Sequence, residues 1–193
     1  MAHIMRIDEM SKQYDLISKL ENIVKSNSEW VDMGGTVLWK NTNEPEFSQK
    51  KGYDPYYGST ITYDMAMNSY KKEDLPTKSN FEELMKCNSI WGKFAFDYVE
   101  WNGEKTIIER YGRYFYTNDF RGVLFLPADE PHKDEIATYL TTTFEKYRKN
   151  GKDAYLFYTF EFRNNDKSTG FSAIYDIDEP YAADVSVRLI KQK

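Results

Sequence analysis

Two strand-like runs that meet at Asn102-Gly103 constrain the fold of this chain more than any other feature. In KFAFDYVEWNGEKTIIERYGRYFY, residues 93–116, a run rich in aromatic residues lies on each side of the dipeptide. Aromatic residues are enriched in β-strands. Asn and Gly both tolerate positive φ, so the pair suits a type I′ turn. The sequence therefore predicts an antiparallel hairpin of two long strands.

Other segments are also predicted to form strands. They are 34–41, 59–70, 122–127, the two arms of 155–178, and 184–190. In 59–70, apolar side chains alternate with others, which is the period of a strand. In the first arm of 155–178, Tyr155 and Phe157 face one way and Phe160 and Phe162 the other. Burial on both faces and an exposed binding surface explain these aromatic residues equally well.

Three amphipathic patterns predict helices. The first helix ends near Asn27, and its apolar stripe consists of Ile7, Met10, Tyr14, Ile17, Leu20 and Val24. A short second helix is predicted in 79–87, where Ser79 and Glu82 have the spacing of a capping box. The third is predicted from 129–131 to Asn150-Gly151. Its buried stripe would consist of Ile136, Tyr139, Leu140, Phe144 and Tyr147, which makes Phe144 a core residue.

This order of elements predicts an α+β fold, with an antiparallel sheet and helices packed on one face. A single domain over residues 1–193 is expected. The orders of elements predicted in 60–116 and in 121–178 are similar and indicate a faint duplication. The first five residues, MAHIM, are interpreted as a cloning scar, with Met5 near the native start.

Composition narrows the class of protein. Hydrophobic residues make up 40% of the chain and aromatic residues 17%, which is enough to build a core. The net charge is −5, which argues against a nucleic-acid-binding protein, because such proteins present a basic face. The single cysteine, Cys87, excludes an intramolecular disulfide. No apolar run approaches the roughly 20 residues that span a bilayer. A cytoplasmic protein that binds no membrane is expected.

Candidate catalytic groups are few. The histidines are His3 and His132, so a conventional zinc site cannot be assembled. A Cys87–His132 nucleophile pair is one option, and a small buried cysteine is the simpler interpretation. Asp176 and Asp178 share one face of a strand and could hold a cation or divide acid and base roles, or they could only solvate the strand end. We expect no enzyme activity, no metal and no cofactor.

Acidic residues gather without basic ones near the end of the chain. From Ser168 to Val187 there is no Lys or Arg, and the acidic residues are Asp176, Asp178, Glu179 and Asp184. Because like charges repel, such a group favours a basic partner. We predict that these four acids form a negative patch that binds a partner protein. Tyr175 and Tyr181 are predicted as its aromatic anchors.

Residues 135–178, EIATYLTTTFEKYRKNGKDAYLFYTFEFRNNDKSTGFSAIYDID, resemble the core of the YezG-like immunity proteins of bacterial polymorphic toxin systems. The resemblance is carried by Leu140 and Phe144 as anchors of a helix, by Asn150-Gly151 as its exit, and by an aromatic strand, a turn and a strand that ends in IYDID. It implies an antitoxin that binds and neutralises a cognate toxin, often a nuclease, without catalysis. An acidic inhibitor suits a nuclease, whose active site is basic.

A second interpretation rests on the long polar segment 41–59, because a loop of this length inside a domain is often functional. Its part KGYDPYYGS, residues 51–59, is rich in tyrosine and could close over a ligand. The chain would then be a small-molecule-binding or enzymatic domain. A phage or mobile-element protein that acts by binding is a third option.

Overall fold

The structure is a computed structural model and describes residues 2–44, 61–100, 102–128, 135–164, 169–175 and 184–193. In this part of the chain the helices are Ala2–Ser26 (α1), Tyr63–Ser69 (α2) and Lys78–Leu84 (α3), and a 3-10 turn occupies Lys72–Asp74. The strands are Trp30–Asp32 (β1), Val37–Lys40 (β2), Ile61–Thr62 (β3), Asn88–Val99 (β4), Lys105–Tyr116 (β5), Val123–Pro127 (β6), Ile136–Lys149 (β7), Lys152–Arg163 (β8), Gly170–Tyr175 (β9), Asp184–Val185 (β10) and Ile190–Gln192 (β11). The pairings between these strands are antiparallel, so the predicted α+β class with antiparallel sheets is confirmed.

Two meanders of three consecutive strands form most of the sheet structure. β4, β5 and β6 are neighbours in sequence order and form the first meander; β7, β8 and β9 form the second. β1, β2 and β11 make a smaller sheet, and β3 pairs with β10. Side chains of both meanders and of the smaller sheet meet in one cluster, which includes Trp39, Phe115 and Phe160. That residues 1–193 form a single domain stays a prediction.

The hairpin at Asn102-Gly103 is confirmed as the pair β4–β5, but its turn is of another type. Gly103 has a φ of 88°, whereas Asn102 is not among the residues with positive φ. The Gly103 N–H donates to the Glu100 carbonyl, and the Glu100 N–H donates to the Glu104 carbonyl, each at 2.9 Å. This pattern belongs to a three-residue loop with glycine in the left-handed region.

The predicted third helix is wrong, because residues 136–149 form strand β7. Asn150 and Gly151 have φ values of 53° and 78° and connect Lys149 to Lys152, its cross-strand partner. Positive φ at both residues of a two-residue loop is the type I′ turn, so this Asn-Gly pair closes a hairpin instead of ending a helix. Threonine, which is β-branched and favours strands, stands at three successive positions of β7, 141–143.

The predicted strand over 59–70 is also wrong for most of its length. Among the described residues of this segment, 61–70, strand pairing is confined to Ile61–Thr62, and helix α2 follows at once. Ala66 on this helix is fully buried in a cluster with Leu140 and Val185. Alanine and methionine have high helix propensity, and an alternation over so few residues does not separate the strand period from the helix period.

Helix α1 is confirmed, and its C-terminal half covers the first meander. Leu20 and Val24 are fully buried and pack with Phe94 and Phe125. Upstream of Leu16, two residues of the predicted apolar stripe are exposed: Met10 retains 54% and Tyr14 69% of its accessible surface. The stripe therefore divides into a packed half and an exposed half.

Helix α3 covers part of the second meander. Its Phe81 stacks on Phe160, with ring centroids 4.4 Å apart. The capping box is formed by Thr77 and Asn80, which exchange hydrogen bonds between side chain and backbone, so the predicted Ser79 and Glu82 pair is wrong in position. That the helices all cover one face of a sheet stays a prediction.

Strand β6 is buried although it lies at the edge of the first meander. Its outward carbonyls accept hydrogen bonds from side chains: Asn27 Nδ2 to Val123 O (2.7 Å), Arg188 Nη2 to Phe125 O (2.8 Å) and Tyr139 Oη to Pro127 O (3.0 Å). Buried carbonyls need hydrogen-bond donors, and these side chains donate the bonds that the N–H groups of a fourth strand would otherwise donate. Arg188, only 1% exposed, therefore has a structural role.

Candidate functional site

A bulge divides the β7–β8 hairpin into a buried part and an exposed part. The strand register shifts between the pair Leu140–Thr159 and the pair Phe144–Phe157. Residues 141–143 of β7 therefore lie opposite one residue of β8. The Thr142 N–H donates to the Pro76 carbonyl at 2.8 Å, which fixes the bulge against the chain before α3. Bulges bend a strand and re-aim its side chains, so the part of the hairpin beyond Thr143 leaves the core.

Three aromatic side chains lie together on this outer part of the hairpin: Phe144, Tyr155 and Phe157, which we call the aromatic triad. Phe144 is 45% exposed, and its ring centroid lies 5.7 Å from that of Tyr155 and 5.8 Å from that of Phe157. The predicted core position of Phe144 is therefore wrong, because β7 turns this side chain away from the main cluster. Phe157 is half-buried and packs against the cluster that contains Leu140 and Val185.

Charged side chains next to the triad are engaged with one another. The Lys146 ammonium lies 2.7 Å from the Asp153 carboxylate, and Arg148 Nε lies 3.8 Å from it. The hydrogen bond to Asp153 raises the pKa of Lys146 above its ordinary value. Both side chains are largely exposed, so these pairs add little to stability. They form a polar border beside an apolar centre, which is the usual composition of a protein interface.

The acidic segment is attached to the structure beside the triad at both of its ends. On one side, Tyr175 closes β9 and its Cα partner on β8 is Leu156, between Tyr155 and Phe157. On the other side, Asp184 opens β10 and pairs with Thr62. The next residue, Val185, lies in the same cluster as Phe157. Eight residues, 176–183, connect these two points.

The predicted binding residues are therefore described only in part. Asp176, Asp178, Glu179 and Tyr181 lie outside the described residues, as does segment 51–59 of the second interpretation. For Tyr175 and Asp184 the backbone is described, and both lie at strand ends. Whether the four acids form one patch stays a prediction, but the two ends of their segment are close to the aromatic triad.

The catalytic options gain no support from the described residues. Cys87 is half-buried and its thiol lies 3.5 Å from the Met33 carbonyl, while His132 lies outside the described residues. Burial raises the pKa of the Cys87 thiol, which lowers the fraction of reactive thiolate at neutral pH. Within the described ranges, no three His, Cys, Asp or Glu side chains are grouped so that they could hold a metal ion.

A buried ion pair lies where segment 45–60 begins. Glu44 is 2% exposed and forms a short ion pair with Lys40. The Glu44 N–H donates to the Val187 carbonyl at 2.8 Å, and the neighbouring Asn43 donates to the Tyr139 hydroxyl at 3.0 Å. These contacts join β2, β7 and the chain before β11, which is a structural role. Burial makes such a pair sensitive to loss of either partner.

Sequence reasoning missed the aromatic triad as a unit because it assigned Phe144 and Tyr155 to different kinds of element. The signal that could have found it is Asn150-Gly151 between two runs rich in Thr, Tyr and Phe. Interpreted as a hairpin turn, this pair places Phe144 opposite Phe157 by counting outward from the turn, because the bulge lies further along the strand.

Compared with protein-family models, with curated proteins and with solved structures, the chain matches none of them. The YezG-like resemblance implied a helix anchored by Leu140 and Phe144, and both residues lie on strand β7 in this structure. Among the described residues, no helix is long and apolar enough to cross a membrane.

Proposed function

We propose that this chain is an immunity protein that binds and neutralises a cognate bacterial toxin, using the aromatic triad and the acidic residues attached beside it. The proposal rests on the exposed aromatic triad and the acidic segment beside it, and not on the family resemblance. We further propose that the chain acts in the cytoplasm, by binding alone and without enzyme activity or a cofactor. Its partner would be a protein with a basic surface.

The observation that carries the proposal is the exposure of Phe144 beside Tyr155 and Phe157, next to both attachment points of an acidic segment. Exposed aromatic side chains that are held in place by neighbouring rings lose little entropy on binding and serve as interface anchors. Phe157 packs against the cluster that contains Leu140 and Val185, and this contact restricts the arrangement of the three rings.

The acidic residues would supply the negative charge that the aromatic triad lacks. Asp176, Asp178, Glu179 and Asp184 contribute four negative charges within nine residues, without a basic residue between them. A toxin that cleaves nucleic acid has a basic active site, because it binds phosphates. Acids next to rigid rings could cover such a site, with the charges speeding encounter and the rings slowing dissociation.

The test is to co-express this chain with the large polypeptide encoded next to its gene, in a bacterial host that the polypeptide kills. We expect that the wild-type chain restores growth and forms a stable complex. Phe144→Ser with Tyr155→Ser should weaken the complex at least tenfold. Ile107→Ser is the matched control, since Ile107 is an apolar residue on the other meander and is 74% exposed. The affinity of this variant for the toxin should stay within twofold of wild type.

A second pair of variants tests the acids. Changing Asp176, Asp178, Glu179 and Asp184 to Lys should weaken binding more at low salt than at high salt, because exposed charges are screened over about 8 Å at physiological ionic strength. The control changes to Lys four acids that are exposed in the described part of the chain: Asp8, Glu9, Asp15 and Glu104. If both quadruple variants stay folded and bind within threefold of wild type, the acidic patch has no part in binding. If the double variant Phe144→Ser, Tyr155→Ser also binds within threefold of wild type, the proposal is wrong.

A further inference from the structure

Strand β4 is an edge of the first meander, and in the described part of the chain no strand pairs with its outer side. It is 12 residues long, about twice the usual length of a strand, and its register with β5 runs without a bulge. Proteins commonly protect an exposed edge by making the strand short, by a bulge or by proline. β4 has none of these features, so its edge is open to another strand.

The hydrogen bonds of the first meander show which backbone groups point outward. The Glu100 N–H donates to the Glu104 carbonyl at 2.9 Å, and hydrogen-bonded pairs recur at every second position of two antiparallel strands. Even-numbered residues of β4 therefore bond to β5. On the other side of β5, the Thr117 N–H donates to the Gly122 carbonyl, which agrees with this alternation. The outward groups belong to the odd-numbered residues of β4, which include Lys93, Ala95 and Asp97.

Helix α1 extends across the meander towards this edge. Near its C-terminal end, Asn27 donates a hydrogen bond to Val123 on β6. Ten residues earlier the helix lies on β4, since a Cβ atom placed on Gly92 would be 3.0 Å from the Ile17 side chain. Because β4 is the outer strand, the part of α1 that precedes Ile17 continues past the edge.

This overhanging part of α1 carries exposed apolar side chains. Met10 and Tyr14 are 54% and 69% exposed, and they continue the stripe whose residue Leu20 is buried on the first meander. A groove of about 420 Å³ lies beneath them, and residues 91–93 of β4 form its other wall. Side chains of both faces of β4 border the groove, so it opens along the edge. A strand added to β4 would lie in this groove, under the apolar stripe.

The charges along the edge are self-complementary. Lys93 and Asp97 are exposed and stand two positions on either side of Ala95. When β4 of a second copy pairs antiparallel about Ala95, Lys93 of each copy lies opposite Asp97 of the other, as a twofold axis requires. Within the described residues Asp97 forms no ion pair, and the Lys93 side chain, which binds Glu109 at 2.8 Å, is still 48% exposed. A lysine on an edge usually discourages pairing, but here each lysine would meet an acid.

The groups on the side of α1 are compatible with the same register. It places Phe94 of each copy opposite Phe96 of the other, and aromatic cross-strand pairs stabilise sheets. The Lys93 carbonyl accepts a hydrogen bond from the Tyr114 hydroxyl at 2.6 Å. A carbonyl oxygen has two lone pairs, so it can also accept an N–H of the added strand.

We propose that this chain forms a twofold dimer, in which the β4 strands of two copies pair antiparallel about Ala95 and the exposed stripe of α1 covers β4 of the other copy. The complementary charges favour a second copy over an unrelated strand, because the edge itself supplies both signs at matching positions. The inference goes beyond toxin neutralisation and does not depend on it, since the aromatic triad lies on the other meander.

Sedimentation velocity of the full chain at increasing concentration measures the association. We expect a monomer–dimer equilibrium that shifts to the dimer as the concentration rises. A chain that stays monomeric up to about 100 µM, well above the dissociation constants of most specific protein pairs, would overturn the proposal.

Proline variants test the edge. Ala95→Pro removes an outward N–H without breaking a bond to β5, and it should weaken the dimer about tenfold or more. Ile107→Pro is the matched control, since its N–H points away from β4 at a position of β5 that β6 does not reach, and it should leave the affinity within about twofold. Circular dichroism shows whether each variant stays folded. If Ala95→Pro is folded and dimerises as wild type does, the proposal is wrong.

Charge variants test the register and do not depend on the effect of proline on folding. Asp97→Lys and Lys93→Asp each place like charges opposite one another twice in the dimer, and each should weaken it about tenfold. The two changes combined restore opposite charges and should return the affinity to within about threefold of wild type. Glu104→Lys, a reversal at another exposed position of the hairpin, is the control and should have little effect. If the folded double variant dimerises as weakly as the single variants, the pairing about Ala95 is wrong.

Discussion

The two meanders have the same topology, but their aromatic faces are covered to different extents. In the first, Phe94 and Phe96 stand beyond the end of β6 and are nevertheless buried, because α1 lies over them. In the second, the segments that pack on β7 and β8 reach as far as Leu140 and part of Phe157, and Phe144 stays exposed. Similar sequences of aromatic residues thus become core in one hairpin and surface in the other.

The difference teaches that exposure of an aromatic strand depends on what is packed against it and not on its composition. In the second meander the bulge at 141–143 turns the outer hairpin away from the core, and no described helix follows it. A surface left open in this way is available to a partner, which is why the triad, rather than the first hairpin, is our candidate interface.

The largest effect should separate one aromatic residue of each meander. Phe94→Ala removes a ring that is 0% exposed and should lower the free energy of unfolding by about 3–5 kcal/mol, because it leaves a cavity under α1. Phe144→Ala removes a ring that is 45% exposed and should cost less than about 1 kcal/mol. Urea denaturation of both variants measures this. Equal losses would mean that the second hairpin is as well covered as the first.

The edge of the first meander should be the next most sensitive feature. Arg188→Leu removes the donors to the Phe125 and Lys40 carbonyls and should lower the free energy of unfolding by about 2–4 kcal/mol. Arg121→Leu is the control, since its side chain is 89% exposed. A loss for Arg188→Leu no larger than that for Arg121→Leu would show that β6 does not depend on this guanidinium.

The turns of the two hairpins can be compared directly. Asn150→Ala places a Cβ-bearing residue with no local side-chain hydrogen bond at a φ of 53°, which should cost about 1 kcal/mol. Asn102→Ala should cost less, because Asn102 is not at positive φ and loses only its hydrogen bond to the Glu104 N–H at 2.9 Å. Thermal denaturation ranks the two. The reverse order would contradict the assignment of the type I′ turn to the second meander.

The smallest effect concerns the helix that covers the second meander. The Glu83 carboxylate on α3 accepts hydrogen bonds from the Thr36 N–H (2.8 Å) and hydroxyl (2.9 Å), and these bonds lower its pKa. A lowered folded pKa means that the stabilisation is complete above the ordinary glutamate value of about 4.3 and is lost as the pH falls through the folded pKa.

Glu83→Gln should therefore be slightly less stable than wild type at pH 7. The difference should shrink as the pH is lowered below about 4, which denaturation at several pH values measures. Glu82→Gln, a change of the exposed neighbouring acid, is the control. A difference that stays constant with pH would show that the Glu83 charge does not contribute.

Much of the fold could be predicted from the sequence. The predictions were correct where a local sequence pattern was compatible with only one kind of secondary structure. The hairpin β4–β5, the strand over 122–127 and helix α1 were predicted correctly, because a turn dipeptide, a short apolar run and a long periodic stripe each favour one structure. The errors fell where two periods fit the same residues. Leu140 and Phe144 are four residues apart, which suits one face of a helix and equally one face of a strand, because side chains alternate with a period of two in a strand.

The amino-acid sequence by itself determined the turn positions, the aromatic content of the strands and the placing of four acids without basic neighbours, because these depend on residue type and spacing alone. Only the tertiary structure decided that Phe94 is buried while Phe144 is exposed, that Arg188 completes the edge of β6, and that the ends of the acidic segment lie beside the triad. The physical reason is that burial is set by contacts between residues far apart in sequence, such as Val24 with Phe94, and a local pattern carries no record of them.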